Sequence, residues 1–63
     1  MKRQALIKHL KKCGCYLLRE GKKHSIFINP ENGKEAAIPR HTEIKNILAK
    51  VICKELEIPA LGK

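Results

Sequence analysis

Two short turn segments divide the middle of the chain into three runs of β-forming residues. Gly21-Lys22-Lys23 separates residues 15–20 from residues 24–29. Pro30-Glu31-Asn32-Gly33 then separates the second run from residues 34–38. Both connections are short enough for hairpin turns, and the Asn-Gly pair tolerates the positive φ that a tight turn requires. The sequence therefore predicts a three-stranded antiparallel meander.

Helical periodicity appears on both sides of this β-rich region. Residues 3–13 carry apolar side chains at helical spacing, and Gly14 is expected to end that helix. Residues 43–57 show the strongest periodicity in the chain, with Thr42 as the expected N-cap. The predicted α+β fold is α-β-β-β-α, the layout of double-stranded-RNA-binding domains, with two helices on one face of the sheet. The layer between helices and sheet is expected to contain Leu6, Leu10, Ile47, Leu48, Val51 and Ile52.

Positive charge is concentrated in the first half of the chain. The 63 residues carry 14 lysines and arginines against 6 acidic residues, a formal net charge of +8. Residues 1–30 hold eight of those cations and a single glutamate. RNA or DNA is the natural partner, because each neutralised phosphate releases counterions. With one tyrosine and one phenylalanine as the aromatic residues, backbone recognition is favoured over base stacking. A basic face that only aids solubility is the alternative.

No metal site, cofactor or membrane segment is expected. The six acids are all glutamates scattered along the chain, whereas catalytic metal sites gather carboxylates. Cys13, Cys15 and Cys53 lack the paired spacing of a zinc site and are interpreted as reduced packing residues. A core this small cannot enclose a large cofactor. Without a signal peptide or an apolar run of ~18 residues, we expect one cytoplasmic domain over residues 1–63.

Three histidines, His9, His24 and His41, are candidates for proton transfer near neutral pH. His24 follows the turn that carries two lysines, and His41 belongs to the Pro39-Arg40-His41 turn. RNA supplies its own nucleophile, the 2′-hydroxyl, so one base and nearby cations suffice for cleavage without a metal. Spacing alone favours structural roles, in which His24 hydrogen-bonds its turn and His41 caps the last helix or braces its turn. His9 is expected at the surface.

A longer pattern joins these turns to their surroundings. The Gly-x-x-His stretch at 21–24 and the Pro-Arg-His turn at 39–41 have the order and spacing of a known family, the HicA (YcfA-like) mRNA interferase toxins. The resemblance covers about residues 1–58. It implies a small basic α-β-β-β-α domain of the double-stranded-RNA-binding type that cleaves mRNA. It also implies a HicB antitoxin that covers the active surface and often binds the operon's DNA. The other stretches that carry the resemblance are Lys2–Lys8, Cys13–Tyr16, Arg19–Phe27, Asn29-Pro30, Gly33 and Ile38.

The resemblance also implies roles for individual residues. The family's catalytic histidine falls on His24, which we expect to act as general base on the 2′-hydroxyl. The proton donor for the leaving oxygen stays open among His41, Tyr16 and water. Family members usually have Gly or Ser at the position of Lys22, which either adds a phosphate contact or partly blocks access. Substrate contacts are expected from Gly21, Lys22, Lys23, Ser25, Arg40 and His41.

The expected function is therefore a toxin that acts as a metal-independent endoribonuclease on mRNA. The expected partner is a HicB-type antitoxin, with operator DNA reached only through that antitoxin, and the free toxin is expected to be a monomer. One alternative is a non-catalytic RNA-binding module of the same fold. Another is an interaction protein that holds a partner's apolar surface. Apolar residues on both faces of the first strand are expected to leave an apolar patch for the antitoxin.

Overall fold

The computed structural model describes residues 1–60 and has the predicted α-β-β-β-α order. The strands form one antiparallel sheet in the order β1-β2-β3. Residues 61–63, at the end of the predicted domain, lie outside the described part of the chain. Neither helix within residues 1–60 is long and apolar enough to span a membrane. The elements are α1 (Arg3–Lys12), β1 (Tyr16–Glu20), β2 (His24–Asn29), β3 (Lys34–Pro39) and α2 (Asn46–Glu55).

Gly14 ends α1 as the sequence predicts. Its φ is +93°, a conformation that L side chains rarely adopt. The Cys15 N–H donates to the Leu10 carbonyl at 2.9 Å, and the Gly14 N–H donates to the Lys11 carbonyl at 3.0 Å. These two bonds close the Schellman motif, which satisfies carbonyls at the end of the helix. The chain therefore turns directly from α1 into β1.

The predicted N-cap at Thr42 is wrong, and α2 begins at Asn46 instead of residue 43. The segment before α2 is extended and pairs with the beginning of the chain. The Arg3 N–H donates to the Thr42 carbonyl at 2.8 Å, and the Ile44 N–H donates to the Met1 carbonyl at 2.8 Å. Because these backbone groups bond across the fold, they are not available for a helical turn. The N-cap position falls on Lys45, which makes no side-chain cap bond.

The core lies between the two helices and one face of the sheet. Alternate residues of β2, Ser25, Phe27 and Asn29, are buried on that face. The register pairs Ser25 with Ile38 and Phe27 with Ala36, so β3 contributes to the same layer. Two helices on one face of the sheet are thus confirmed. The buried apolar cluster comprises Leu6, Leu10, Cys15, Phe27, Ala36, Ile38, Ile44, Ala49, Ile52, Cys53 and Leu56.

Three of the predicted core residues of α2 are exposed, which corrects the sequence-based core. Ile47, Leu48 and Val51 are 71%, 37% and 44% exposed. The helix buries the neighbouring stripe, which contains the small residues Ala49 and Cys53. The apolar arc of α2 is wider than the surface that the sheet can cover. Periodicity locates that arc, but packing against β3 and the anchored segment before α2 decide which part of the arc is buried.

The turn between β2 and β3 caps the end of α2. The buried Asn29 side chain donates from Nδ2 to the Leu56 carbonyl at 2.8 Å, and Asn32 donates to the same carbonyl at 3.2 Å. Glu57 follows in the left-handed region with φ of 57°. This contact joins that end of the sheet to α2. We call the opposite end, where β2 begins and β3 ends, the open end of the sheet.

Candidate functional site

His24 and His41 line one shallow cleft of about 360 Å³ at the open end of the sheet. β2 begins at His24 and β3 ends at Pro39, and these two residues are directly paired. Antiparallel pairing thus brings together two turns that lie about fifteen residues apart in the chain. The cleft contains five of the seven predicted site residues: Lys22, Lys23, His24, Arg40 and His41.

The lysine and histidine side chains in this cleft are exposed and keep their hydrogen-bonding groups available. Within residues 1–60, neither Lys22 nor Lys23 takes part in an ion pair. The imidazoles of His24 and His41 make no hydrogen bond with any other residue in that range. The cleft therefore presents two imidazoles and two ammonium groups to the solvent.

Gly21 closes the turn before β2 through its backbone. Its N–H donates to the His24 carbonyl at 2.8 Å. A Cβ at Gly21 would lie 3.2 Å from that oxygen, which is tighter than an ordinary contact. The backbone of His24, and not its imidazole, therefore holds the turn together.

Arg40 is held at the edge of the cleft by the end of β1. Its Nη2 donates to Glu20 Oε1 at 2.6 Å and also to the Gly21 carbonyl. The two side chains of this ion pair are about half exposed, at 46% and 52%. Glu20 was not predicted as a site residue from the sequence. One feature of the sequence could have drawn attention to Glu20, since it is the single acidic residue among the first 30.

Gly21 and Ser25 are the two predicted site residues that do not line the cleft, and Ser25 is turned away from it. Ser25 is 2% exposed and faces the helices, because successive side chains of a strand point to opposite faces. Its hydroxyl donates to Glu20 Oε1 at 2.8 Å and accepts from Arg3 Nη2 at 2.9 Å. Arg3 Nε also donates to the Pro39 carbonyl at 2.8 Å.

We call the side chains of Arg3, Ser25, Glu20 and Arg40 the polar brace. It joins the start of α1 to the end of β1, the start of β2 and the residue after β3. No buried side-chain nitrogen or oxygen within residues 1–60 lacks a hydrogen-bond partner. The brace therefore fixes the start of β2 at His24 and the end of β3 just before His41, without leaving an unsatisfied polar group behind them.

His9 lies away from the cleft and is half-buried, which corrects its expected surface position. Its Nε2 is 2.7 Å from the Pro59 carbonyl and 3.8 Å from the Cys13 sulfur. The imidazole thus links α1 to the chain beyond α2. His9 has a structural contact that accounts for it, in contrast to His24 and His41.

The three cysteines are reduced thiols, two of them in the core. Burial raises the pKa of the Cys15 thiol, and the nearby Cys13 and Cys53 raise it further. Among residues 1–60, no group of three or more His, Cys, Asp or Glu side chains could hold a metal ion.

Comparison with known proteins identifies the family. The family model described as "HicA toxin of bacterial toxin-antitoxin" matches residues 3–58, a range that includes both helices, all three strands and the cleft. Neither the curated proteins nor the solved structures gave a match. Toxins of this kind are paired with an antitoxin, so an antitoxin is the expected partner of this protein. Because the match covers nearly the whole chain, this protein belongs to the HicA toxin family of bacterial toxin–antitoxin systems.

Proposed function

We propose that this toxin is a metal-independent endoribonuclease that cleaves mRNA in the cytoplasm. The observation that carries the proposal is the single cleft that holds His24, His41 and the lysines of the first hairpin. Two imidazoles facing one anionic substrate provide a base and an acid, and the cations provide electrostatic stabilisation. The family match supports a toxic activity of the chain as a whole.

In the proposed reaction, the neutral imidazole of His24 takes the proton of a 2′-hydroxyl in the RNA. The 2′-oxygen then attacks the adjacent phosphorus, and the bond from phosphorus to the 5′-oxygen breaks. The products are a 2′,3′-cyclic phosphate and a 5′-hydroxyl. Because the nucleophile belongs to the substrate, the protein has to supply only positioning, proton transfer and charge stabilisation.

We assign the proton for the leaving 5′-oxygen to His41, which lines the same cleft as His24. Tyr16 was an alternative donor, but it lies at the other end of β1, four residues from Glu20 and opposite Ile28. One base and one acid in the same cleft match the two proton transfers that the reaction requires.

Three cations are suited to the negative charge that grows on the phosphate in the transition state. Lys22 and Lys23 line the cleft as exposed ammonium groups, and we take Lys22 to add a phosphate contact. Arg40 is held through Nη2, which leaves Nε and Nη1 of its planar guanidinium for the substrate. Ser25 acts behind the cleft as a positioning residue, since its hydroxyl is committed to the polar brace.

The antitoxin is proposed to be of the HicB type and to cover this cleft, with operator DNA bound only through it. The outer face of the sheet next to the cleft carries Ile26 and Ile28, which are half-buried, and Tyr16, which is 51% exposed. These apolar side chains fit a protein partner that continues from the cleft across the sheet. In its absence we expect a monomer.

The test is cleavage of a transcribed mRNA by the purified protein in the presence of EDTA. The His24→Ala variant should lose on the order of 10²- to 10⁴-fold in rate. His9→Ala is the matched control and should keep its activity, because His9 lies outside the cleft. An RNA with a 2′-deoxy sugar at the cleaved position should be resistant, and the RNA fragments should end in a cyclic phosphate.

Cleavage that continues undiminished in His24→Ala would refute the assigned base. mRNA that is bound by the wild type but stays intact would instead identify a non-catalytic RNA-binding module. A requirement for a divalent cation would refute the metal-independent mechanism.

A further inference from the structure

The His24 cleft is the first of three neighbouring clefts. The second lies at the start of α1, and the third lies along the exposed side of that helix. The second cleft has a volume of about 390 Å³, and the third has a volume of about 300 Å³. Arg40 lines both the first and the second cleft, while Arg3 and Gln4 line both the second and the third. Because neighbouring clefts share lining residues, we treat the three clefts as one depression. The second is lined by Lys2, Arg3, Gln4, Arg40 and Thr42, and the third by Arg3, Gln4, Ile7, Lys8 and Lys11.

We call Lys2, Gln4, Lys8 and Lys11 the α1 track. All four side chains are exposed. Gln4, Lys8 and Lys11 are spaced i, i+4 and i+7, so they share one face of the helix. Lys2 precedes the helix and lines the cleft that adjoins Arg40. The track therefore forms a row of polar and cationic groups that begins beside the candidate active site.

The lysines of the α1 track take part in no ion pair within residues 1–60. The sequence of α1 contains no Asp or Glu. Arg3 differs from them because its guanidinium bonds Ser25 and Pro39. Arg3 therefore supports the floor of the depression, while the lysines around it present their charge to a ligand.

A row of ammonium groups without an aromatic side chain has the chemistry of a phosphate-backbone contact. Lysines act as flexible point charges that hold phosphates without reading bases, and a concave surface lined by one sign of charge concentrates a polyanion. Arg40 lies between the His24 cleft and the second cleft, since it lines both. A strand whose phosphate is held at His24 can therefore continue directly into the track.

We propose that the α1 track binds the phosphates of the RNA strand on one side of the cleaved bond. The proposal rests on the proposed function, because it takes the His24 cleft as the place of cleavage. The substrate is then a single RNA strand several nucleotides long, recognised through its backbone with little dependence on sequence. The track supplies affinity for substrate and takes no part in the proton transfers.

Binding should be measured in a His24→Ala background, so that the RNA stays intact. The double variant Lys8→Ala/Lys11→Ala should bind a long single-stranded RNA about tenfold more weakly than its parent. The slope of log K against log salt should fall in magnitude by about 1.4, at about 0.7 for each phosphate that the variant no longer neutralises. A short oligonucleotide that fills only the His24 cleft should bind both proteins equally. Fluorescence anisotropy over a salt series provides these values.

The matched control is Lys50→Ala/Lys54→Ala, which removes the same charge from α2, away from the three clefts. This variant should keep the affinity and the slope of its parent. The proposal is overturned if the control loses as much affinity as the track variant. It is also overturned if the track variant keeps its full affinity for long RNA. The same holds if this variant loses as much affinity for the short oligonucleotide as for the long RNA.

A second readout separates this proposal from the proposed function. With His24 intact, Lys8→Ala/Lys11→Ala should raise KM for long RNA about tenfold and leave kcat unchanged, as expected for uniform substrate binding. If the wild type cleaves and KM does not change, the track proposal is wrong while the nuclease assignment stands. If no RNA is cleaved but the binding of long RNA still depends on the track, the nuclease assignment is wrong, and the track is a surface for RNA binding without cleavage.

Discussion

Glu20 shows how a single residue can organise the cleft without lying in it. One carboxylate oxygen, Oε1, accepts hydrogen bonds from Ser25 and from Arg40. Ser25 is bonded in turn to Arg3, so the position of Arg40 depends on a chain of contacts that begins on α1. This dependence could not be anticipated from the sequence, because the hydroxyl next to His24 points to the opposite face of the strand.

Replacing Glu20 with alanine should lower both the stability and the activity of the protein. The exposed ion pair to Arg40 is worth about 0.2–1 kcal/mol, and the loss of an acceptor for Ser25 adds about 1 kcal/mol. The kcat for RNA cleavage should fall about tenfold, because Arg40 is no longer aimed at the phosphate. Urea unfolding and single-turnover cleavage measure the two effects.

Glu35→Ala is the matched control for this prediction. Glu35 pairs with Arg19 at 3.8 Å and is similarly exposed at 44%, but it lies outside the brace. The Glu35→Ala substitution should lower the free energy of unfolding by under about 0.5 kcal/mol and leave kcat unchanged. Equal kcat values for Glu20→Ala and the wild type would contradict the role of the brace.

The Cys15 thiol should make the protein less stable at alkaline pH. Its pKa is raised in the folded state, so the folded protein retains a proton that the unfolded chain releases. The free energy of unfolding should therefore fall as the pH rises through the ordinary thiol pKa. Urea titrations at several pH values should show a smaller fall in Cys15→Ala. Cys13→Ala removes a smaller cause of the raised pKa and leaves burial, the main cause, in place, so this variant should keep most of the fall seen in the wild type.

At the scale of elements, α2 shows the limit of periodicity. Its apolar residues are spaced for a helix, and the helix is present, but the buried stripe is rotated from the predicted one. Hydrogen bonds of the preceding segment to Met1 and Arg3 set where the helix begins. Ala49 and Cys53 provide the small surface that packs towards the sheet. Local spacing contains neither of these constraints.

Adjacent truncations on α2 test this orientation. Ile52 is 1% exposed and Val51 is 44% exposed. Ile52→Ala should destabilise the protein by about 2–5 kcal/mol because it leaves a cavity in the core. Val51→Ala should cost about 0.5 kcal/mol or less, as for an exposed position. Urea unfolding measures the free energy of unfolding of each variant. A larger loss of stability in Val51→Ala than in Ile52→Ala would refute this orientation of α2.

At the scale of the whole molecule, charge and size act together. The molecule measures 30 × 27 × 16 Å and carries a net charge of +8. At about 0.01 M salt the screening length is about 30 Å, so every cation repels every other across the fold. The few ion pairs within residues 1–60 are largely exposed and offset little of this repulsion.

Salt should therefore stabilise the protein. The melting temperature should rise as sodium chloride is increased from about 0.01 to about 0.1 M, because the screening length falls to about 10 Å. The rise should be smaller in Lys8→Gln/Lys11→Gln, which carries less net charge. Thermal unfolding followed by circular dichroism measures the change. A melting temperature that falls with added salt would show that ion pairs outweigh the general repulsion.

The sequence by itself determined the order of elements, the antiparallel meander, the end of α1 at Gly14 and the basic character of the first half. These features depend on neighbouring residues, such as turn chemistry and helical spacing, or on the sum of charges. Only the tertiary structure decided which stripe of α2 is buried, that Ser25 faces the core, and that Glu20 holds Arg40. It also placed His24 beside His41 and joined their cleft to the α1 track. Those outcomes depend on contacts between residues far apart in the chain, whose geometry exists only once the sheet and helices have packed.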